Sequence, residues 1–249
     1  MNSLTLIRES VPGPIDVAIS HSILSAVSDG EMGPTLRLHV PGSLVAFGRA
    51  DRVTSGYAAA VRAARAHGFD AVERLAGGRA AVFHEQTLAF SLALPVEQPM
   101  TGIHDRFEIV ATLMAAAFES LGVDARIGEL AGEYCPGQWS VNVAGRVKVM
   151  GVGQRLVRRA AHIGGVVVVD DGYRVRDVLI PVYRALGLDW DPRTAGSLAD
   201  RSPGLTLPMV SKAIEERFAG RFELTEGSLP EPVMNRAGEL VDEHLPEVA

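Results

Sequence analysis

The sequence predicts an α+β fold, a mixed and largely antiparallel sheet flanked by helices. Two patterns carry that expectation. Short apolar stretches come in groups separated by glycine or proline, as strands in hairpins do. Longer stretches with apolar residues at helical spacing are interspersed between the groups. Neither an internal repeat nor a low-complexity linker interrupts them.

Taken in order, residues 4–8 are apolar-rich and read as an opening strand. Pro14 suits the first turn of a helix whose stripe is Ile15, Ala18, Ile19, Ile23, Leu24 and Val27. Residues 35–40 and 44–47 are strand-like, and Pro41 with Gly42 between them signals a hairpin. Residues 57–67, rich in Ala and Arg, read as a helix stopped by Gly68. Residues 71–75 and 80–83 read as strands joined at Gly77 and Gly78, and 87–94 as another strand. Residues 103–121 form the clearest helix, with Phe107, Val110, Ala111, Met114 and Phe118 on one face and Gly122 at its end. Three strands follow at 140–143, 148–157 and 163–169, then helices at 177–186, 209–218 and 233–244.

Composition narrows the class. With 47% hydrophobic and 22% charged residues the 249-residue chain can bury a sizeable core. Its formal net charge of −6 gives no global footprint for nucleic acid. The single cysteine, Cys135, excludes an intramolecular disulfide and fits a reducing compartment. The first residues lack a cationic start followed by an apolar signal core, and the longest apolar runs are too short to span a bilayer. The expectation is a full-length cytoplasmic protein with no membrane or nucleic-acid partner.

Four constellations could carry chemistry. In RLAGGRAAVFH (residues 74–84), followed by Ser91, paired glycines between strands let a ligand approach the backbone, where amides could bind an oxyanion or carboxylate. A tight hairpin without a ligand explains the glycines more simply when they are taken alone. The spacing fits neither the dinucleotide fingerprint nor the Walker A loop. In EYCPG (133–137), Cys135 sits in a turn rather than an apolar run. No acid stands between Glu133 and Asp170, while Arg146, Lys148, Arg155, Arg158 and Arg159 do. Cations lower a thiol pKa, so a reactive thiolate competes with the reading of Cys135 as a small buried hydrophobe. In GRVKVMGVGQR (145–155), Lys148 lies inside an apolar strand followed by Gly151 and Gly153. It is either an edge-strand lysine or an ammonium that polarises a carbonyl oxygen. In HIGG (162–165), His162 reads as a strand residue with a satisfied ring. The histidines are scattered without metal-ligand spacing, so no metal site is expected, and no serine nucleophile elbow occurs.

Together, the 74–91 and 145–155 motifs, with VAFGR (45–49) before them, resemble the biotin/lipoate protein ligase superfamily. The resemblance covers roughly residues 1–190. It implies a catalytic domain similar to that of class II aminoacyl-tRNA synthetases and biotin ligases, here one domain over 1–249 with its core at 1–190 and a helical segment at 200–249. It implies that Gly77 and Gly78 line a lipoyl or octanoyl tunnel, with Leu75, Ala80, Val149 and Val152 against the chain. Arg74, Ala76, Arg79, Ala80, His84, Ser91, Gly151, Val152, Gly153, Gln154, His162 and Gly164 complete the substrate site, and Lys148 meets the acyl carbonyl. ATP-dependent ligases in this superfamily usually carry an Arg-Arg pair and three consecutive glycines; here Glu73 precedes Arg74, and Arg79 follows two glycines. EYCPG stands where those ligases have Asn-Asp. The chain is therefore most similar to the cysteine-dependent octanoyl/lipoyl transferases, in which the cysteine carries the acyl group as a thioester. His84 stands where those transferases tend to have an acid, which leaves its role open.

The resemblance implies a donor that is an acyl carrier protein or a lipoylated H protein. The acceptor would be a lipoyl domain of a 2-oxoacid dehydrogenase E2 or an H protein. Lipoyl domains of this family are typically acidic, so Arg155, Arg158 and Arg159 would receive them, or else form a solvated basic face with no partner. The transferase reading needs no cofactor. The alternatives are a lipoate ligase, with ATP and Mg²⁺ and an acyl-adenylate, or a non-catalytic binder of the acyl group or its carrier.

Overall fold

The computed structural model describes residues 3–248; the outer bounds of the expected domain, Met1 and Ala249, lie outside them. In chain order the elements are β1 (Ser3–Ile7), α1 (Ile15–Asp29), β2 (Thr35–His39), β3 (Leu44–Phe47), α2 (Arg49–Arg52), α3 (Tyr57–Ala66), β4 (Asp70–Glu73), β5 (Ala81–Phe83), β6 (Thr87–Pro95) and α4 (Ile103–Ser120). There follow β7 (Ala125–Ile127), β8 (Val141–Val143), β9 (Val147–Leu156), β10 (Ala160–Val168), α5 (Gly172–Leu186), α6 (Leu207–Ala219), β11 (Glu223–Glu226) and α7 (Glu231–Leu240).

The strands form two sheets. The larger runs β11-β1-β2-β6-β10-β9-β8-β7 and the smaller β4-β3-β5. From β2 onward the larger sheet is antiparallel; β1 pairs parallel with both β2 and β11. Helices α4 and α6 cover one face through Val110, Met114, Phe118, Ile214 and Phe218. Helices α1 and α7 lie over Ala93 and Ala160. The smaller sheet packs its Val45, Phe47 and Val82 against α3 and α5. The α+β expectation holds, and the β8-β9-β10 meander is where the sequence placed three strands.

Two expected hairpins are absent. Residues 35–40 and 44–47 do not pair: β2 belongs to the large sheet and β3 to the small one. The Pro41–Gly42 turn instead docks on another turn. Gly13 N donates to Pro41 O at 2.9 Å, and Gly42, at φ +83°, lies against Pro12. Strands β4 and β5 also do not pair, because β3 lies between them. The glycine pair is thus a crossing loop, and it passes so close to the end of β3 that a Cβ on Gly48 would stand 1.8 Å from Gly78 O. Both corrections have one cause. β2 and β3 are buried throughout, so they pair where partners cover both faces, not where the nearest turn would fold them.

One helix boundary also differs, and two strands are new. Helix α5 begins at Gly172, not 177, where the backbone of Gly196 and Ser197 leaves no room for a Cβ. Strands β7 and β11 were not expected, being three and four residues long and largely exposed.

Candidate functional site

Cys135 sits at the meeting point of the 74–80 loop, the 133–137 turn and β9. Its φ of +43° places a non-glycine residue in the left-handed region, a strain of about 1–2 kcal/mol. The surroundings hold that conformation at every backbone atom. Cys135 N donates to Tyr183 Oη at 2.9 Å, and Tyr183 in turn donates to Ala80 O at 3.1 Å. Cys135 O accepts from Lys148 Nζ at 2.7 Å. The thiol is then aimed at Arg74 Nη2, 3.3 Å away, and at the Arg79 backbone N–H, 3.2 Å away. Gly78, at φ +103°, makes this approach possible: a Cβ there would lie 2.3 Å from Arg74 Nη2 and 2.9 Å from Sγ.

The electrostatics favour a thiolate. Burial pushes the Cys135 pKa up, but Arg74, Lys148 and the Arg79 amide together pull it below the ordinary thiol value. Tyr183 is pushed the other way, chiefly by burial and then by Cys135, and stays a protonated donor.

Lys148 is 1% exposed and carries a full set of acceptors. Its Nζ donates to Glu133 Oε1 at 2.8 Å, Tyr134 O at 3.0 Å and Cys135 O at 2.7 Å, and lies 4.9 Å from the Tyr134 ring centre. Glu133 is fixed from the other side by Ser140 Oγ at 2.7 Å and Leu130 N at 2.9 Å. An ammonium has three donors, so none remains for an acyl oxygen. In this structure the ammonium holds the turn that carries the cysteine, whereas the family resemblance implied that it meets the acyl carbonyl.

The thiol opens onto a cavity of about 500 Å³ between the two sheets. Its apolar walls are Ala81 and Phe83 of β5, Ile103 and Phe107 of α4, Val152 and Leu156 of β9, and Val166 of β10. Glycines widen it, and they also allow close backbone packing. Gly77 faces open space, Gly153 meets Ala76, and a Cβ on Gly165 would stand 1.9 Å from Gly151 O. A smaller cavity of about 80 Å³ shares Arg74, Phe83 and Gly165 with the first.

Of the residues singled out in the sequence, Arg74, Gly77, Gly78, Lys148, Gly151, Val152, Gly153 and Gln154 line the larger cavity with Cys135. Ala76, Ser91, His162, Gly164 and the expected tunnel residue Leu75 line the smaller one. His162 is not the satisfied strand histidine its context suggested: its Nδ1 and Ser91 Oγ lack hydrogen-bond partners, and burial first, then His39 and His21, lower its pKa to about 4. Ala80 and Val149 are packed in cores away from the cavities. Arg79 contributes its amide; its side chain turns to Ala50 O and Asp51. His84 lines neither cavity; it builds a turn, its Nδ1 accepting from Gln86 N and its own N–H bonding Thr87 Oγ1. Burial, then Arg174, lowers its pKa to about 4. The three arginines divide: Arg155 lines a cleft beside Arg74, Arg158 is exposed, and Arg159 bonds Ser28 O and lines a separate hollow near Pro95.

The sequence profile of the lipoyl protein ligase A/B catalytic domain matches residues 14–218. The chain belongs to that family. Among curated relatives, it is 31% identical over 170 residues to octanoyl-[GcvH]:protein N-octanoyltransferase of Geobacillus kaustophilus, covering 68% of this chain and 60% of that protein. It is 26% identical over 208 residues to the enzyme of that name from Oceanobacillus iheyensis, covering 79% and 74%. The structure resembles that of Ta0514 from T. acidophilum with bound lipoic acid (TM-score 0.77, 19% identity, 98% and 96% coverage). It also resembles lipoate-protein ligase A bound with ATP (TM-score 0.80, 19% identity, 98% and 95% coverage).

In this lipoyl protein ligase A/B domain, sequence reasoning missed Glu133 and Tyr183 as site residues. Glu133 had a legible signal, since it is the last acid before a long basic and apolar stretch that contains a buried lysine. Tyr183 had none, lying 48 residues from the cysteine it holds. Among the described residues no cluster of His, Cys, Asp or Glu is arranged to hold a metal, and no helix is long and apolar enough to cross a membrane.

Proposed function

We propose that this domain transfers an octanoyl group to a lysine of a lipoyl-domain protein through a thioester on Cys135. One observation carries the reading: the sulfur is held between a guanidinium and a backbone amide at the mouth of an apolar cavity. A buried structural cysteine would have neither cation nor cavity. The curated relatives are octanoyltransferases, which supports octanoyl as the group.

In the first half-reaction the thiolate attacks the donor carbonyl, forming the S–C bond. The bond to the donor's leaving group breaks, and that group departs after taking a proton from solvent. The donor is an acyl carrier protein or an acylated H protein. In the second half-reaction the neutral amine of the acceptor lysine attacks the thioester. The N–C bond forms, the amine releases its proton to solvent, and Cys135 leaves as the thiolate that Arg74 stabilises. The Arg79 N–H and Arg74 Nη2 stand within 3.3 Å of the sulfur, and they take the oxyanion role. Lys148 and Glu133 act on the turn. The transferase route needs neither ATP nor Mg²⁺, because the acyl group arrives already bonded to its carrier.

The test is intact-mass spectrometry after incubation with an octanoyl thioester. An octanoyl adduct is expected on the wild type and absent in Cys135→Ser, with transfer to an apo lipoyl domain lost in parallel. No adduct, or equal transfer by Cys135→Ser, removes the thioester route; strict ATP dependence with free octanoate or lipoate would restore the ligase.

A further inference from the structure

Beside the acyl cavity lies a second opening whose character is opposite to the chain as a whole. A cleft of about 120 Å³ is bounded by Arg49, Arg52, Arg74 and Arg155, with His21 and His244, against the carboxylates of Glu73 and Glu243. The chain is net acidic, so this concentration of cations is local. Glu73 is already engaged, its Oε2 by Arg52 at 2.6 Å and its Oε1 by Tyr57 Oη at 2.9 Å. Arg49 and Arg155, in contrast, have no carboxylate or hydrogen-bond partner among the described residues. Arg49 is exposed and Arg155 half-buried, and they come from elements far apart in sequence, α2 and β9.

The position of the cleft says which anion suits it. Arg74 lines both openings, and its Nη2 is 3.3 Å from the Cys135 sulfur. An anion in the cleft is thus separated from the sulfur by one guanidinium. The residues one to three positions from a lysine fall within roughly 3–11 Å of its Cα. A carboxylate so placed reaches the cleft while the lysine amine reaches the sulfur.

We propose that this cleft receives the carboxylate of an acidic residue flanking the lysine that exchanges its acyl group with Cys135. The proposal rests on the thioester reading above, and names the feature of the acceptor that the site selects. Arg49 and Arg155 are the residues that recognise it, and α2 is the rim on which the acceptor segment lies.

Fluorescent peptides carrying one lysine flanked by Glu, Gln or Lys test this in two ways. The first is binding by anisotropy without any acyl donor; the second is kcat/KM for their octanoylation. The wild type should favour the Glu peptide over the Gln peptide by roughly 5- to 10-fold, a preference that salt erodes. The preference should vanish with Arg49→Gln and Arg155→Gln combined, and should invert towards the Lys peptide with Arg49→Glu and Arg155→Glu. A wild type indifferent to the flanking charge overturns the proposal, as does a preference that survives both pairs of substitutions. Peptide displacement by phosphopantetheine without a Glu preference assigns the cleft to a carrier arm and also overturns it. If Cys135 takes no octanoyl group, the thioester reading fails, while the anisotropy measurement still decides the charge preference of the cleft.

Discussion

Replacing Glu133 by Gln tests whether the buried ion pair maintains the site. The Glu133 side chain is 0% and that of Lys148 2% exposed, so solvent screens neither. A glutamine oxygen can still accept from Lys148 and Ser140, but its amide then faces the Leu130 N–H that Glu133 Oε2 accepts, donor against donor. Removing one partner of a buried pair costs about 3–5 kcal/mol. Tyr134 O and Cys135 O remain as acceptors for Lys148, which favours the low end, about 3 kcal/mol. The orphaned Leu130 N–H adds about 1 kcal/mol. The sum, about 4 kcal/mol, corresponds to a Tm lower by roughly 8–16 °C for a domain of this size. Urea denaturation and thermal melts of Glu133→Gln, Lys148→Met and the double variant provide the measurement. The double variant should lose less than the two single losses combined, because no charge is left unpaired. A Glu133→Gln protein within about 1 kcal/mol of wild type, or strictly additive losses, would refute the argument.

Other consequences follow from the same geometry. Arg74→Gln should move the pH midpoint of Cys135 alkylation by iodoacetamide upward, since the largest opposing influence on the burial effect is removed. The sign follows from the wild type: its lowered thiol pKa puts the rise in reactivity below the pH of an ordinary cysteine, and the variant moves it back towards that pH. Gly78→Ala should slow octanoyl-adduct formation by roughly 100-fold or more, because the added Cβ displaces both Arg74 Nη2 and the sulfur. Rapid-quench mass spectrometry would show it. His84→Asn, which keeps an acceptor for Gln86 N, should lower stability by about 1–3 kcal/mol in urea while leaving the adduct-formation rate near wild type.

How much of this was legible in the residues depends on the range of the force that fixed each feature. Helices α1, α3 and α4 are local: apolar spacing, with Pro14 before α1 and glycines 68 and 122 after α3 and α4, suffices, and the structure keeps all three. The β8-β9-β10 meander is nearly local and was legible too. The pairings of β2, β3 and β5 were not, since burial of both faces of these strands overrode the nearby turns. Likewise EYCPG, Lys148 and the glycine pair could be read as chemistry by residue type, and the surplus of cations around Cys135 suggested a lowered thiol pKa. Sequence could not decide which cation faces the sulfur. That depends on folding the 74–80 loop over β3 onto a turn some sixty residues later, which brings Arg74 to Sγ and leaves Lys148 to bind Glu133 and two carbonyls. Residue order alone determined that a thiol, a lysine and a glycine loop would be present in an α+β frame. Tertiary packing decided which side chain activates the thiol and which one holds it, because hydrogen bonds and Coulomb forces at these distances depend on placements that only long-range burial sets.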